Sequence, residues 1–428
     1  MNSFIKNIKK IPAFRFALTL PRKYDFLLLL CCLIVSIIGI IYIGSASMSI
    51  MFESLADLTN SADAMMVMVW AIVKQSAYLV ISLIAMCIVA NAYRFEWFRM
   101  PLSFDHFYTL KEKFRKNYVF LPVFALIILG MLLLCLVFTP INGTRAWINL
   151  GFMTLQPVEF AKVIMIMIIA GAFCKARSKA TWVQLIMPVL GIYAIYFVVV
   201  LGFQNDLGSA VILSFITLAC CFTASDVRLR PVQKWVAIAF AGAVLFAIFI
   251  FSPMGASFVE MLPIQEYQAN RITTALDPFA HRYDTGYQVS NSLIAFARGG
   301  LFGSGLGTSV QKFGYLPYAS SDIIIGVIAE EGGFITLAFI FLLYGIILAR
   351  LVMYAVKMKK DENKVILIGA ATYLFTHFLF NVGGATAFIP LTGVPLIMLS
   401  SGGSSLLGWY MAMGLCQSVI ARYRRGEE

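Results

Sequence analysis

A helix needs about 20 consecutive, mostly apolar residues to cross the hydrocarbon of a bilayer, and this chain divides into ten such runs. They lie near 25–47, 75–93, 118–139, 157–174, 183–203, 207–224, 236–253, 323–349, 365–388 and 404–421. With 61% hydrophobic and only 13% charged residues there is too little polar surface to clothe a water-soluble core. The fold class that follows is an all-α polytopic membrane protein of about ten transmembrane helices. The tightest placements are the fourth run, which contains Glu159 and Lys162, and the fifth and sixth, which nearly touch at Gln204-Asn205-Asp206. Other counts follow only if these runs are merged or split.

Lysine and arginine set the orientation. With the N-terminus inside, the alternate segments 1–24, 94–117, 175–181, 225–235, 350–364 and 422–428 hold 26 of the 33 basic residues. The positive-inside rule therefore places both termini in the cytoplasm. The net charge of +12 reads as a topology signal with some attraction to anionic membrane lipids, and no nucleic-acid partner is implied. The expected organisation is a cytoplasmic tail (1–24), one membrane domain (25–421) with a large extracytoplasmic loop (254–322), and a short cytoplasmic tail (422–428). The first apolar run reads as a span rather than a cleavable signal peptide. Segment 94–117 reads as an amphipathic helix on the cytoplasmic face, and 48–71 as an outer loop. The eight cysteines all fall in or at the ends of spans, where cysteine acts as a small apolar residue.

Loops longer than about 12–15 residues are usually functional or disordered, and 254–322 is too rich in aromatics and aliphatics for a flexible linker. It concentrates Arg271, Asp277, His281, Arg282, Asp284, Arg298 and Lys312. Apolar patches such as Val289–Ala297 are too short to span and suggest helices lying on the outer leaflet. Charged groups at membrane depth need a reason. Glu159 and Lys162 share one face of the fourth span and can pair. They read either as a structural ion pair or, with Arg145 in the preceding outer loop, as a cationic cleft suited to a diphosphate. Asp206 reads as a cap of the sixth span. Glu330 and Glu331 call for a polar cavity or a basic partner. The small-residue run Ser400–Ser405 suits either a tight helix contact or a loop lining a polar cavity.

The segments GTRAWINLGFMTLQPVEFAK, QNDLGSA, GYQVSNSLIAFARGGLFGSGLGTSVQKFGYLP, SSDIIIGVIAEEGG and NVGGATAFIPLTGVPL with SSGGSSLL, in that order, resemble the SEDS family of bacterial cell-wall proteins, which contains FtsW, RodA and SpoVE. GTSVQKFGYLP and SSGGSSLL look more like the FtsW branch. The resemblance implies a glycosyltransferase that polymerises lipid II in the bacterial cytoplasmic membrane. In that reaction the acceptor 4-hydroxyl attacks C1 of the donor sugar, the configuration inverts, and undecaprenyl diphosphate leaves. Partners implied are lipid II, a class B penicillin-binding transpeptidase and divisome membrane proteins.

The family loop usually reads N/D-P-x-x-D-P-x-x-x-G-Y, and its second acidic residue is the essential carboxylate. A gapless match from Asp277-Pro278 to Gly286-Tyr287 puts His281 at that place and Arg282 at the usual proline. Asp284, three residues on, then supplies the carboxylate if the loop turns differently. His281 and Asp277 are the alternative bases, Asp277 reading otherwise as a turn cap. By motif position, Arg145, Glu159, Lys162, Asp322, Glu330 and Ser401 carry over as cleft residues, and Gln311 and Lys312 as candidates for binding glycan or diphosphate. The cofactor is unknown. Magnesium or another divalent cation at the diphosphate fits the chemistry, but no ligand cluster marks a metal site. The competing readings are a lipid II flippase and a non-catalytic scaffold for the transpeptidase.

Overall fold

The computed structural model describes residues 19–47, 61–93, 120–141, 143–151, 154–173, 182–223, 225, 227–250, 252, 255, 274–280, 282–316 and 319–427. Its helices are α1 (Phe26–Ser47), α2 (Ser61–Ala92), α3 (Phe120–Leu134), α4 (Pro157–Phe173), α5 (Trp182–Phe197), α6 (Leu207–Thr223), α7 (Arg230–Ile250), α8 (Tyr287–Gly299), α9 (Ile324–Lys357), α10 (Asp361–Ala385) and α11 (Gly403–Arg425). A two-residue hairpin, β1 (Ile148–Asn149) with β2 (Thr154–Leu155), leads into α4. Five helices within Phe26–Ser47, Met65–Ala92, Ile186–Phe203, Ile324–Lys357 and Asp361–Ala385 are long and apolar enough to cross a membrane.

Each run expected from the sequence overlaps a helix, with shifted ends. The second begins at Ser61 rather than near residue 75, so part of the expected outer loop 48–71 is helical. The seventh covers Arg230–Ile250 rather than 236–253. The apolar patch at Val289–Ala297 is helix α8. The expected amphipathic segment 94–117 lies outside the described residues.

Local chemistry explains the boundaries. Asp25 caps α1 by accepting the Leu28 amide at 3.1 Å. Pro157 opens α4, where its missing N–H costs nothing. Asp361 and Glu362 stand in the first turn of α10, and Arg422, Arg424 and Arg425 in the last turn of α11, each matching the helix dipole. Gly426 ends α11 in the left-handed conformation with φ 78°.

The core runs between α1, α4, α6, α9, α10 and α11, with Trp409, Tyr373, Tyr344 and Tyr410 fully enclosed. Outward faces are apolar instead: Trp235, Ile238, Leu245 and Phe246 on α7 and Ile37 and Ile41 on α1 stand exposed. A surface of that kind is at home in lipid and not in water. At one end of the bundle the segment before α1 lies against the end of α11. Gln417 bonds both the amide and carbonyl of Asp25, Lys23 donates to the Arg424 carbonyl, and the Asp25 carboxylate holds Arg350 and Arg424.

Helix α9 is two helices joined at a break, because Gly333 has φ 67° and ψ −174°. The break frees backbone groups that must find partners elsewhere. The Glu330 and Glu331 carbonyls accept from Ser304 and Gly305, and the Phe334 and Ile335 amides donate to Gly300 and Leu301. The glycine-rich strand after α8 is thus stitched into α9. A Cβ on Gly303 would meet the Glu331 carbonyl, so only glycine fits this crossing.

Candidate active site at one rim of the bundle

Two buried charge clusters stand behind the rim. In the first, Lys162 Nζ lies 2.7 Å from Glu159 Oε1 and 2.9 Å from His377 Nε2. Tyr373 donates to Glu159 Oε2 at 2.6 Å, and His377 Nδ1 lies 3.0 Å from the Pro395 carbonyl. Of the two readings of Glu159 and Lys162, the geometry is the ion pair. Lys162 has no exposed surface to offer a phosphate, because its charge is met inside the bundle. The alternative reading, in which Lys162 and Arg145 line an open cationic cleft, is therefore corrected for Lys162, which is enclosed. Neither Tyr373 nor His377 was identified from the sequence, since both come from α10, more than 210 positions away.

The second cluster joins the large loop to α1 and α9. Lys312 Nζ sits 2.7 Å from Glu331 Oε1 and 2.8 Å from Ser45 Oγ, with both charged side chains fully buried. Glu330 accepts from Ser309 Oγ at 2.5 Å and from the amides of Val310 and Gln311 at 3.1 Å, and it faces Arg298 Nε at 3.2 Å. Glu330 and Glu331 have the basic partners the sequence called for. Lys312, a candidate for binding glycan or diphosphate, is here the buried counter-ion of Glu331. Gln311 is also buried, and among the described residues its side-chain oxygen has no hydrogen-bond partner. As buried carboxylates and cations are stable only when paired, this cluster fixes the position of the loop around residues 304–312.

The rim itself is made where four connectors meet. The Arg145 amide donates to the Gln204 carbonyl, joining the segment before α4 to the one before α6, and the Arg145 side chain is exposed. Residues Val198–Phe203 form a π-helical turn, and Asn205 follows with φ 57°. That geometry brings Asp206 to the head of α6, where it accepts the Ser209 amide at 2.9 Å, as expected of a cap. Asp206 also accepts from Gln156, whose own amide donates to Ser404 at the start of α11. Gly208 packs against Thr392 and Val394 of the segment between α10 and α11. That same segment binds the approach to α9: Ser400 donates to the Ser321 carbonyl at 2.6 Å, and the Ser401 amide to the Ser320 carbonyl at 2.8 Å. Asn381 clasps the carbonyls of Asp322 and Val394, both at 2.9 Å. Arg145, Asp206, Asp322 and Ser401 therefore share one rim, with Ser401 exposed.

Of the candidate bases, Asp277 accepts the amides of Phe279 and Ala280 at 3.1 and 3.0 Å, the turn cap expected of an Asp-Pro start. Asp284 is exposed, its carbonyl accepts the Tyr287 amide that opens α8, and among the described residues its carboxylate forms no ion pair. His281 lies outside the described residues. The turn is tied back by Thr274 to Thr285 at 3.0 Å and by Tyr287 to the Gly314 carbonyl. Asp284 thus presents a free carboxylate next to the first turn of an anchored helix. Among the described residues no three His, Cys, Asp or Glu side chains are grouped to hold a metal.

Fold and site together define a polytopic helical protein with apolar flanks and an ionisable, hydroxyl-rich rim. The family described as "Cell cycle protein", which groups FtsW, RodA and SpoVE, matches residues 25–425, and the chain belongs to it. It is 33% identical over 301 residues to a probable peptidoglycan glycosyltransferase FtsW of Coxiella burnetii, covering 68% of this chain and 76% of that one. To the stage V sporulation protein E of Bacillus subtilis it is 33% identical over 287 residues, 66% and 73% of the two chains. A solved chain from a peptidoglycan synthase complex that coordinates polymerization and crosslinking superimposes with a TM-score of 0.67 at 24% identity, covering 94% of this chain and 98% of that one. That likeness shows the shared fold.

Proposed function

We propose that this protein is a peptidoglycan glycosyltransferase that polymerises lipid II at the outer face of the bacterial cytoplasmic membrane. The observation that carries the reading is the family match across residues 25–425, joined to an FtsW relative matched over 76% of its length. Ten spans with both ends cytoplasmic remain the reading of the apolar runs and the basic residues. The packing of the segment before α1 against the end of α11 supports the two ends lying on one side, as an even number of spans requires.

In this reading the sugars lie at the rim and the polyprenyl tail lies along the apolar flank. Asp284 takes the proton of the acceptor 4-hydroxyl as that oxygen bonds to C1 of the donor. The C1–O bond to the diphosphate breaks from the opposite face, so the new linkage is β-1,4. His281 and Asp277 are the alternative bases. Arg145, exposed at the rim, meets the charge that develops on the departing diphosphate. Asp322 and Ser401 orient the sugars, while Glu159 with Lys162, Glu330 with Gln311, and Glu331 with Lys312 hold the surrounding segments from behind. A class B penicillin-binding transpeptidase crosslinks the product. The solved chain from a peptidoglycan synthase complex supports such a partner.

The test is direct. Purified protein with its transpeptidase and lipid II is expected to give a ladder of glycan chains whose formation penicillin does not block. Lipid II translocation in proteoliposomes without any polymer would overturn the reading in favour of a flippase.

A further inference from the structure

We propose that His377 is a positioning residue that couples the buried Glu159–Lys162 pair to the hydroxyl-bearing segment at the rim. The inference deepens the polymerase reading and rests on it for its kinetic arm only.

An ammonium has three donors and no acceptor. Lys162 Nζ, 2.9 Å from His377 Nε2 and 2.7 Å from Glu159 Oε1, must therefore donate to both. His377 Nε2 is then the acceptor, and the ring is neutral with its proton on Nδ1. That N–H donates to the Pro395 carbonyl at 3.0 Å. A continuous chain of donors and acceptors runs from the Glu159 carboxylate through Lys162 and the imidazole to the backbone of residue 395. The groups facing the imidazole are Lys162 and Glu159 from α4, Tyr373 from its own helix and the carbonyl of Pro395.

Pro395 lies inside the span of chain that bears the site. Asn381, one turn beyond His377 on the same face of α10, holds the neighbouring Val394 carbonyl and the Asp322 carbonyl. Five residues after Pro395, Ser400 accepts the Leu396 amide at 2.8 Å and donates to the Ser321 carbonyl. His377 and Asn381 thus form two rungs that grip one strand from below. The buried charge pair sets the orientation of the lower rung. The consequence is that His377 sets the height of Ser400 and Ser401 against Ser320 and Asp322 without touching substrate itself.

Glutamine at 377 keeps the two-ended chemistry, since its Oε1 accepts from Lys162 and its Nε2 donates to residue 395. Leucine keeps the volume and loses both bonds. Two readouts separate the outcomes. With Ser401→Cys in an otherwise intact chain, labelling by a membrane-impermeant maleimide should change about fivefold or more in His377→Leu and stay near the parent rate in His377→Gln, as expected for losing or keeping buried hydrogen bonds. This arm holds whether or not the protein is a polymerase. In the glycan assay His377→Leu should lower kcat about tenfold with little change in KM, while His377→Gln recovers most of it. Should His377→Leu fail to fold, His377→Gln and His377→Asn carry the test: asparagine is too short to reach both ends and should behave as a loss. Unchanged labelling in His377→Leu, or a glutamine variant as altered as the leucine or asparagine one, would overturn the proposal.

Discussion

Replacing Lys312 by methionine probes the way the large loop is held. The substitution keeps an unbranched side chain, one heavy atom shorter, and removes its charge. Lys312 Nζ is 2.7 Å from Glu331 Oε1 and 2.8 Å from Ser45 Oγ, and neither charged group reaches solvent. Among the described residues, what remains is a buried carboxylate bonded by Ser45 and a long contact from the Ser309 amide at 3.4 Å. Breaking a buried pair on one side costs about 3–5 kcal/mol, whereas removing both charges is often close to neutral. Lys312→Met should therefore lose about that amount, and adding Glu331→Gln should return roughly 2 kcal/mol or more of it, a coupling typical of contacting residues. Reversible unfolding by SDS in mixed micelles, run as a double-mutant cycle, reads both quantities. A single variant within about 1 kcal/mol of the parent, or a double variant whose loss is the sum of the two singles, would show that the pair does not hold the loop.

Gly303→Ala should destabilise by more than about 1 kcal/mol and expose the loop to protease, since Gly303 has φ 78° and a Cβ would meet the Glu331 carbonyl. Limited proteolysis in detergent, compared with Gly307→Ala where nothing crowds the added carbon, checks this. Asp206→Ala removes the acceptor of the Ser209 amide and of Gln156, and should cost about 1–2 kcal/mol in the same SDS titration.

What could be read from the sequence was what depends on near neighbours. The cap at Asp206 and the turn at Asp277 each involve residues two or three positions away, and both were legible. The pairing of Glu159 with Lys162 was legible too, because i and i+3 share a helix face. Its setting was not: His377 reaches Lys162 from 215 positions away, and an isolated histidine in an apolar run carries no local signal of its partner. The burial of Lys312 was not legible for the same reason, its contact with Ser45 spanning 267 positions. The runs of apolar residues located the helices, but their ends moved where a helix continues past the apolar stretch, as α2 does through Asp63 and Lys74. The break at Gly333 is carried by a Gly-Gly pair whose meaning appears only when the strand after α8 is laid against it.

The central claim is that a carboxylate on the loop opening α8 takes the acceptor proton at this rim, and Asp284→Asn tests it with the least disturbance. The residue is exposed and unpaired among the described residues, so the variant should keep the parent's stability. Rates of lipid II polymerisation, measured with the transpeptidase present, should fall by about 100-fold or more for Asp284→Asn, the scale of a lost general base, and far less for Asp277→Asn. An Asp284→Asn enzyme that polymerises at the parent rate would contradict the account.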